Sequence, residues 1–190
     1  NKSKPDKKAI NLVPVEQIRE QEKENWQFFQ SLPVADRSLL QLNRVRDLQF
    51  TEPLFEFSGA CAGCGETPYL KLLSQLFGDR MIVANATGCS SIYGANLPAT
   101  PWTFNQHGQG PAWSNSLFED NAEFGYGFRL AIDQQKTMAI TLLEQLKTEI
   151  GAELVDELIN SPQETEEEIA RQRKLVGELI KKLKDIPKEE

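Results

Sequence analysis

The stretch Ser58-Gly-Ala-Cys61-Ala-Gly-Cys64-Gly-Glu66 decides how the rest of this chain is interpreted. It holds two of the three cysteines in the sequence, three positions apart among glycines. Two thiolates with this spacing point the same way from a tight turn, and glycine leaves the backbone free to wrap a metal ion or cluster. The spacing therefore predicts a metal or redox site at this turn.

The third cysteine, Cys89, lies in a second glycine-rich stretch, Asn85-Ala-Thr-Gly-Cys89-Ser-Ser91. A closed zinc site or a cubane iron–sulfur cluster needs four ligands, so the three cysteines leave either site one ligand short. From the residues alone, a zinc site completed by His107 and a set of inert reduced thiols both stay open. His107 is the only histidine, and a lone loop histidine is more often a surface residue than a ligand, so we assign it no role.

Length and composition restrict the class of protein. A chain of 190 residues can form one domain, or one and a fraction, with its own core. The net charge of −7, with scattered lysines and arginines, argues against a nucleic-acid partner. We find no membrane-spanning run and no signal peptide. An odd cysteine count with a CxxC pair favours metal or redox chemistry in the reducing cytoplasm. Because the chain begins at Asn1, we expect a piece of a longer protein.

Three stretches of this sequence resemble pyruvate:ferredoxin (flavodoxin) oxidoreductase. They are FEFSGACAGCGETPY at residues 55–69, NATGCSSIYG at 85–94 and GPAWSNSLFEDNAEFG at 110–125. The resemblance covers roughly residues 14–133. Within that enzyme, the matching part is the first half of the C-terminal thiamine diphosphate-binding domain. One departure is Ala95, which stands where a second glycine is expected.

The resemblance implies a partial α/β thiamine diphosphate-binding domain, in which a parallel sheet is flanked by helices. We expect a flexible N-terminal arm over residues 1–13, the first half of the thiamine diphosphate and iron–sulfur domain over 14–133, and a helical arm of the same domain over 134–190. The apolar run 81–84 suits a buried parallel strand. Its carboxyl end opens into the loop that carries Cys89, and ligands bind at that edge of α/β sheets.

Hydrophobic periodicity predicts helices over much of the chain. A first helix begins near Pro14 and ends before Pro33, and its apolar end is expected to dock against the core. A second, short helix is predicted from residue 36 to about residue 47. Residues 94–116 lack periodicity and predict a long ordered loop. The pattern Ser161-Pro-Gln-Glu164 predicts the start of the last helix, with a capping box.

The resemblance also implies roles for individual residues. Cys61, Cys64 and Cys89 would ligate a four-iron four-sulfur cluster close to thiamine diphosphate, with the fourth cysteine further along the full-length chain. Glu66 matches a glutamate that hydrogen-bonds the aminopyrimidine ring of thiamine, and Cys89 and Ile92 also lie against this cofactor. From the residues alone, Glu66 is better explained as a carboxylate favoured by the dipole at the start of a helix. The family's magnesium and diphosphate motif, a Gly-Asp-Gly word, does not occur in this sequence.

These assignments imply an activity for the longer protein. The family decarboxylates pyruvate oxidatively with coenzyme A, which gives acetyl-CoA and carbon dioxide, and passes electrons through iron–sulfur clusters to ferredoxin or flavodoxin. The implied partners are the remaining domains of the parent enzyme, a homodimer. Since the fourth cysteine and the Mg²⁺ motif are absent, we expect the isolated chain to be inactive. A zinc-stabilised interaction module and a helical binding domain with structural cysteines stay open as alternatives.

Overall fold

The computed structural model describes residues 12–95 and 99–186. In these ranges the chain is helix-rich and has a two-stranded parallel sheet flanked by helices, which confirms the predicted partial α/β domain. Residues 1–11 of the predicted N-terminal arm lie outside the described residues. None of the helices described is both long and apolar enough to cross a lipid bilayer.

In the described residues, three α-helices precede the first strand, one lies between the two strands, and a run of helices follows the second strand. The helices and strands are α1 (Arg19–Ser31), α2 (Val45–Leu48), α3 (Thr67–Phe77), β1 (Ile82–Ala86), α4 (Cys89–Gly94), β2 (Ala112–Ser116), α5 (Asn121–Gln145), α6 (Lys147–Ile150), α7 (Ala152–Asn160) and α8 (Glu166–Asp185). Two short 3₁₀ turns, Val15–Gln17 and Arg37–Leu39, precede α1 and α2.

Backbone packing divides the chain into two compact units. The described residues of 12–82 and 92–112 form the first unit, and those of 83–91 and 113–186 form the second. Each unit therefore contains one of the two glycine-rich cysteine stretches. The domain boundaries predicted after residues 13 and 133 stay predictions.

The first unit has Phe55 at its centre. The side chain is only 2% exposed, and its ring centroid lies 4.7 Å from that of Trp102 and 5.9 Å from that of Tyr93. An isolated antiparallel bridge pairs Phe55 with Trp102. The stretch 94–116, predicted to be a loop, therefore contributes this bridge and, at its end, strand β2.

Buried polar groups fix α3 against the segment that leads to the cysteine turn. The Gln75 side-chain amide donates to the carbonyl oxygens of Leu48 at 3.2 Å and Thr51 at 3.0 Å. The Ser74 hydroxyl accepts from the Leu54 N–H at 3.0 Å. Since buried polar groups cost free energy unless they are paired, these bonds determine the position of α3.

The second unit places α5 beside the sheet and gathers α6, α7 and α8 around an apolar cluster. A Cβ on Gly125 of α5 would lie 3.4 Å from the Ala84 Cβ on β1, so this helix runs close to the strand. Gly151 has φ +102°, a conformation that glycine adopts without strain, and it separates α6 from α7. The cluster consists of buried Ile150, Leu154, Val155, Leu158 and Leu175.

Two predicted helices differ in the structure. Residues 36–47 form a 3₁₀ turn and the four-residue α2 instead of one helix, because the Asp36 carboxylate accepts from the Ser38 N–H at 2.9 Å and closes a short turn. The last helix begins at Glu166, not near Ser161. Thr165 and Glu168 form its capping box, one turn later than predicted.

The first helix ends at Ser31, before Pro33, as predicted. Its expected docking is wrong in the described part of the chain, because no residue of α1 is buried. Trp26 is 48% exposed and Phe28 is 66% exposed. The Trp26 ring stacks on Phe29 of the same helix at 5.6 Å, so these aromatic side chains partly cover one another.

Candidate metal and cofactor site

The CxxC pair lies on a tight turn directly before α3. The Cys64 N–H donates to the Cys61 carbonyl oxygen at 3.0 Å, which closes the turn. Gly63 has φ +77°, and a Cβ at this position would meet no atom within 4 Å. Glycine is therefore required here by the backbone conformation and not by lack of space. Both cysteines are free thiols; Cys61 is exposed and Cys64 is half-buried.

The environment of Cys64 favours the charged form of its thiol. Backbone N–H groups of Thr67 and Glu66, at the start of α3, donate to the Cys64 sulfur and lower its pKa. Burial and the nearby Glu66 carboxylate act in the opposite direction with smaller effect. Since the thiolate is the form that ligates metals, this geometry prepares Cys64 as a ligand.

Glu66 occupies the N-cap position of α3. Its carbonyl oxygen accepts from the Tyr69 and Leu70 N–H groups at 3.0 and 3.3 Å, as expected for a helix start. Its side chain makes no capping hydrogen bond and is exposed. The Glu66 carboxylate therefore does not cap α3. Its predicted hydrogen bond to thiamine stays a prediction.

Cys89 is the first residue of α4, just after the carboxyl end of β1. The predicted strand is confirmed, but the loop predicted over residues 85–91 is much shorter: residues 85–86 belong to β1 and Cys89 begins α4, which leaves only residues 87–88 between the two elements. The Cys89 thiol is free and exposed, and Ile92, on the same helix, is 75% exposed. Both side chains are thus open to a ligand at this edge.

The three cysteines are divided between the two units of the structure. Cys61 and Cys64 belong to the first unit, whereas Cys89 belongs to the second. Across residues 12–95 and 99–186, no three His, Cys, Asp or Glu side chains group closely enough to hold a metal ion. The assignment of the three thiols to one cluster stays a prediction.

His107 lies in a polar turn of the first unit. The Asn105 side-chain oxygen accepts from the N–H groups of His107 at 2.9 Å and Gln109 at 3.0 Å. Burial raises the pKa of Glu52, and the charge of His107 opposes that rise. The contacts of His107 in the described part of the chain thus give no support to a zinc site that it completes.

Sequence reasoning missed a set of polar side chains at the carboxyl ends of β1 and β2. The Asn85 amide donates to the Asn115 side-chain oxygen at 2.9 Å, and the Thr87 hydroxyl donates to the Ser116 carbonyl oxygen at 2.8 Å. These contacts depend on the parallel pairing of the two strands. The sequence gives no signal for β2, because residues 112–116 lack apolar alternation and fall within the predicted loop 94–116.

Comparison with known proteins finds close relatives over nearly the whole chain. A pyruvate-flavodoxin oxidoreductase from Nostoc sp. is 61% identical over 187 residues, which is 98% of this chain and 16% of the relative. A probable pyruvate-flavodoxin oxidoreductase from Escherichia coli is 52% identical over 181 residues, 94% of this chain and 15% of the relative. A pyruvate:ferredoxin oxidoreductase from Moorella thermoacetica is 53% identical over 146 residues, 76% of this chain and 12% of the relative. No protein-family profile matches the chain.

Proposed function

Because this chain belongs to the family of pyruvate-flavodoxin and pyruvate:ferredoxin oxidoreductases, we propose that it forms part of the thiamine diphosphate and iron–sulfur site of such an enzyme. The complete enzyme decarboxylates pyruvate oxidatively with coenzyme A and passes the electrons to ferredoxin or flavodoxin. The chain spans about 16% of the Nostoc relative. The rest of the site, including the fourth cysteine and the Mg²⁺ motif, therefore belongs to the remaining polypeptide.

The observation that carries this proposal is the hydrogen bonding of the Cys64 sulfur at the start of α3. Its sulfur accepts two N–H donors at the start of α3, which lower its pKa, and hydrogen bonds to sulfur are one of the features that tune iron–sulfur clusters. Cys61 lies on the same closed turn with an exposed thiol. The chemistry of this donor pair fits thiolate ligation of iron.

Five residues of the chain have a defined part in this proposal. Cys61, Cys64 and Cys89 would supply three thiolate ligands to the cluster. The Glu66 carboxylate would accept a hydrogen bond from the aminopyrimidine ring, and Ile92 would contact the thiamine. When bound, thiamine diphosphate supplies the electron sink for loss of carbon dioxide, and the cluster supplies one-electron transfer.

The test is the iron content of the full-length oxidoreductase that carries this segment, purified without oxygen. Cys64→Ser should remove about four iron atoms per chain, because one cubane cluster loses a ligand. Ala62→Ser is the matched control: it places the same hydroxyl in the same turn and leaves all thiols intact. Equal iron content in the two variants would contradict the proposal, and zinc in place of iron would support the interaction module.

A second test concerns the 190-residue chain alone. Calorimetric titration with thiamine diphosphate and Mg²⁺ should detect no binding in the micromolar range, because the sequence lacks the Gly-Asp-Gly motif. The chain alone should also release no carbon dioxide from pyruvate. Micromolar binding by the isolated chain would show that this segment holds more of the cofactor site than we propose.

A further inference from the structure

The carboxyl ends of β1 and β2 are joined by side chains as well as by the sheet. The Asn115 side chain bridges the two strand ends: its oxygen accepts from the Asn85 amide at 2.9 Å, and its nitrogen donates to the Thr87 hydroxyl at 3.4 Å. The Thr87 hydroxyl in turn donates to the Ser116 carbonyl oxygen at 2.8 Å. We call these four residues, Asn85, Thr87, Asn115 and Ser116, the strand-end network.

This network ends two residues before Cys89. Thr87 is tied to β2 by the contacts above, and the next residue, Gly88, is tied to the helix that follows. The Gly88 N–H donates to the Ser91 hydroxyl at 2.8 Å, and that hydroxyl donates to the Gly88 carbonyl oxygen at 2.6 Å. Hydrogen bonds to β2 and to α4 thus fix the two residues before Cys89, while the Cys89 thiol is exposed.

These hydrogen bonds have little to contribute to folding stability. Asn115 and Thr87 are both exposed, and an exposed hydrogen bond exchanges contacts with water for similar contacts within the protein. The long α5 and the α6–α8 cluster supply the apolar contacts of this unit. A set of specific polar contacts on an open sheet edge, with little stabilising value, points to a role in positioning.

We infer that Asn115 and Thr87 are positioning residues for the Cys89 thiolate, which they aim through the Thr87–Gly88 backbone. This inference rests on the proposed role of Cys89 as a cluster ligand. Residues that orient metal ligands affect metal affinity strongly, and their substitution typically costs about 10–100-fold. Neither residue would touch the cluster itself.

The experiment uses the anaerobically purified full-length oxidoreductase and measures how fast a chelator removes iron, followed by loss of visible absorbance. Asn115→Ala and Thr87→Val should each release the iron of one cluster about tenfold faster than the unchanged protein. Thr87→Val keeps the branched shape and removes only the hydroxyl. Asn25→Ala is the matched control, since this exposed amide bonds only within α1 and its loss should leave the release rate unchanged.

Thermal unfolding of the same variants distinguishes an effect on the position of Cys89 from an effect on folding stability. The melting temperature of Asn115→Ala should match that of Asn25→Ala within the precision of the method. Equal release rates in Asn115→Ala, Thr87→Val and Asn25→Ala would overturn the inference while leaving the cluster proposal intact. Faster release accompanied by an equally large loss of thermal stability would also overturn it. If the unchanged protein holds no cluster that depends on Cys89, the proposed function fails, and the inference fails with it.

Discussion

In the helical cluster of the second unit, Val155 is completely buried and Ile150 is 1% exposed, whereas beside the cysteine turn of the first unit Phe57 is 82% exposed. Polar contacts differ in the same way. The Lys182 ammonium donates to the Ile150 carbonyl oxygen, and Gln172 donates to the Leu158 carbonyl oxygen at 3.2 Å, so α8 is tied to the preceding helices. The cysteine turn instead leaves Cys61 free and exposed.

The difference separates residues that hold the chain together from residues kept for a ligand. The helical cluster packs its apolar side chains against one another, and side chains of α8 donate to backbone carbonyl oxygens of the preceding helices, which is how a structural core gains stability. The turn before α3 directs backbone donors at the Cys64 sulfur and leaves the Glu66 carboxylate without a capping bond. Substitutions in the two regions should therefore differ in kind: stability in the first case, ligand chemistry in the second.

The largest effect is expected from truncation in the helical cluster. Ile150→Ala should lower the free energy of unfolding by about 2–5 kcal/mol, because it removes buried methyl groups and leaves a cavity. Urea unfolding of the 190-residue chain, followed by circular dichroism, measures this change. Met138→Ala on α5, at a side chain that is 60% exposed, should change it by less than about 0.5 kcal/mol. Similar losses of unfolding free energy in Ile150→Ala and Met138→Ala would contradict the assignment of Ile150 to a structural core.

A smaller effect is expected at the start of α8. Thr165→Ala should cost about 1 kcal/mol, because it removes the hydroxyl that accepts from the Glu168 N–H in the capping box. The control is Thr141→Ala, whose hydroxyl donates to a carbonyl within α5 and caps no helix. If the same unfolding measurement gives no difference between these variants, the capping box does not stabilise the helical cluster.

The smallest effect on stability should have the opposite sign. Phe57 has φ +56°, a left-handed conformation that costs a bulky residue about 1–2 kcal/mol and that asparagine tolerates better. Phe57→Asn should therefore stabilise the chain by up to about 1 kcal/mol, because loss of the edge contact with Trp26 offsets part of the gain. Phe28→Asn, at an exposed phenylalanine in the middle of α1, should instead destabilise it slightly. Destabilisation by both substitutions would contradict this account of strain.

The same contrast explains how much the sequence could predict. Local patterns predicted β1 and the end of α1 before Pro33, because apolar runs and turn residues act over a few neighbouring positions. The turn 61–66 was identified from cysteine and glycine spacing alone. These features need no knowledge of which distant segments meet.

Features that depend on distant contacts were missed or displaced. Strand β2 and the pairing of Phe55 with Trp102 join segments far apart in sequence, and the run 94–116 carries no periodicity to indicate them. The expected docking of α1 failed because apolar residues indicate a buried face without saying what covers it. The start of α8 was misplaced for a different, local reason: two capping patterns lie one turn apart, and the structure uses the one at Thr165 and Glu168.

The central claim is that the start of α3 lowers the pKa of the Cys64 thiol and so favours the thiolate, the form that ligates iron. The direct measurement is the pH dependence of iodoacetamide alkylation in the chain with Cys61→Ser and Cys89→Ser, which leaves Cys64 alone, compared between the folded chain and the same chain unfolded in urea. Hydrogen bonds from the Thr67 and Glu66 N–H groups favour the charged form and lower the pKa of Cys64, so protonation requires a lower pH in the folded chain. We predict a folded midpoint below the unfolded one; a folded midpoint equal to or above it would contradict the claim.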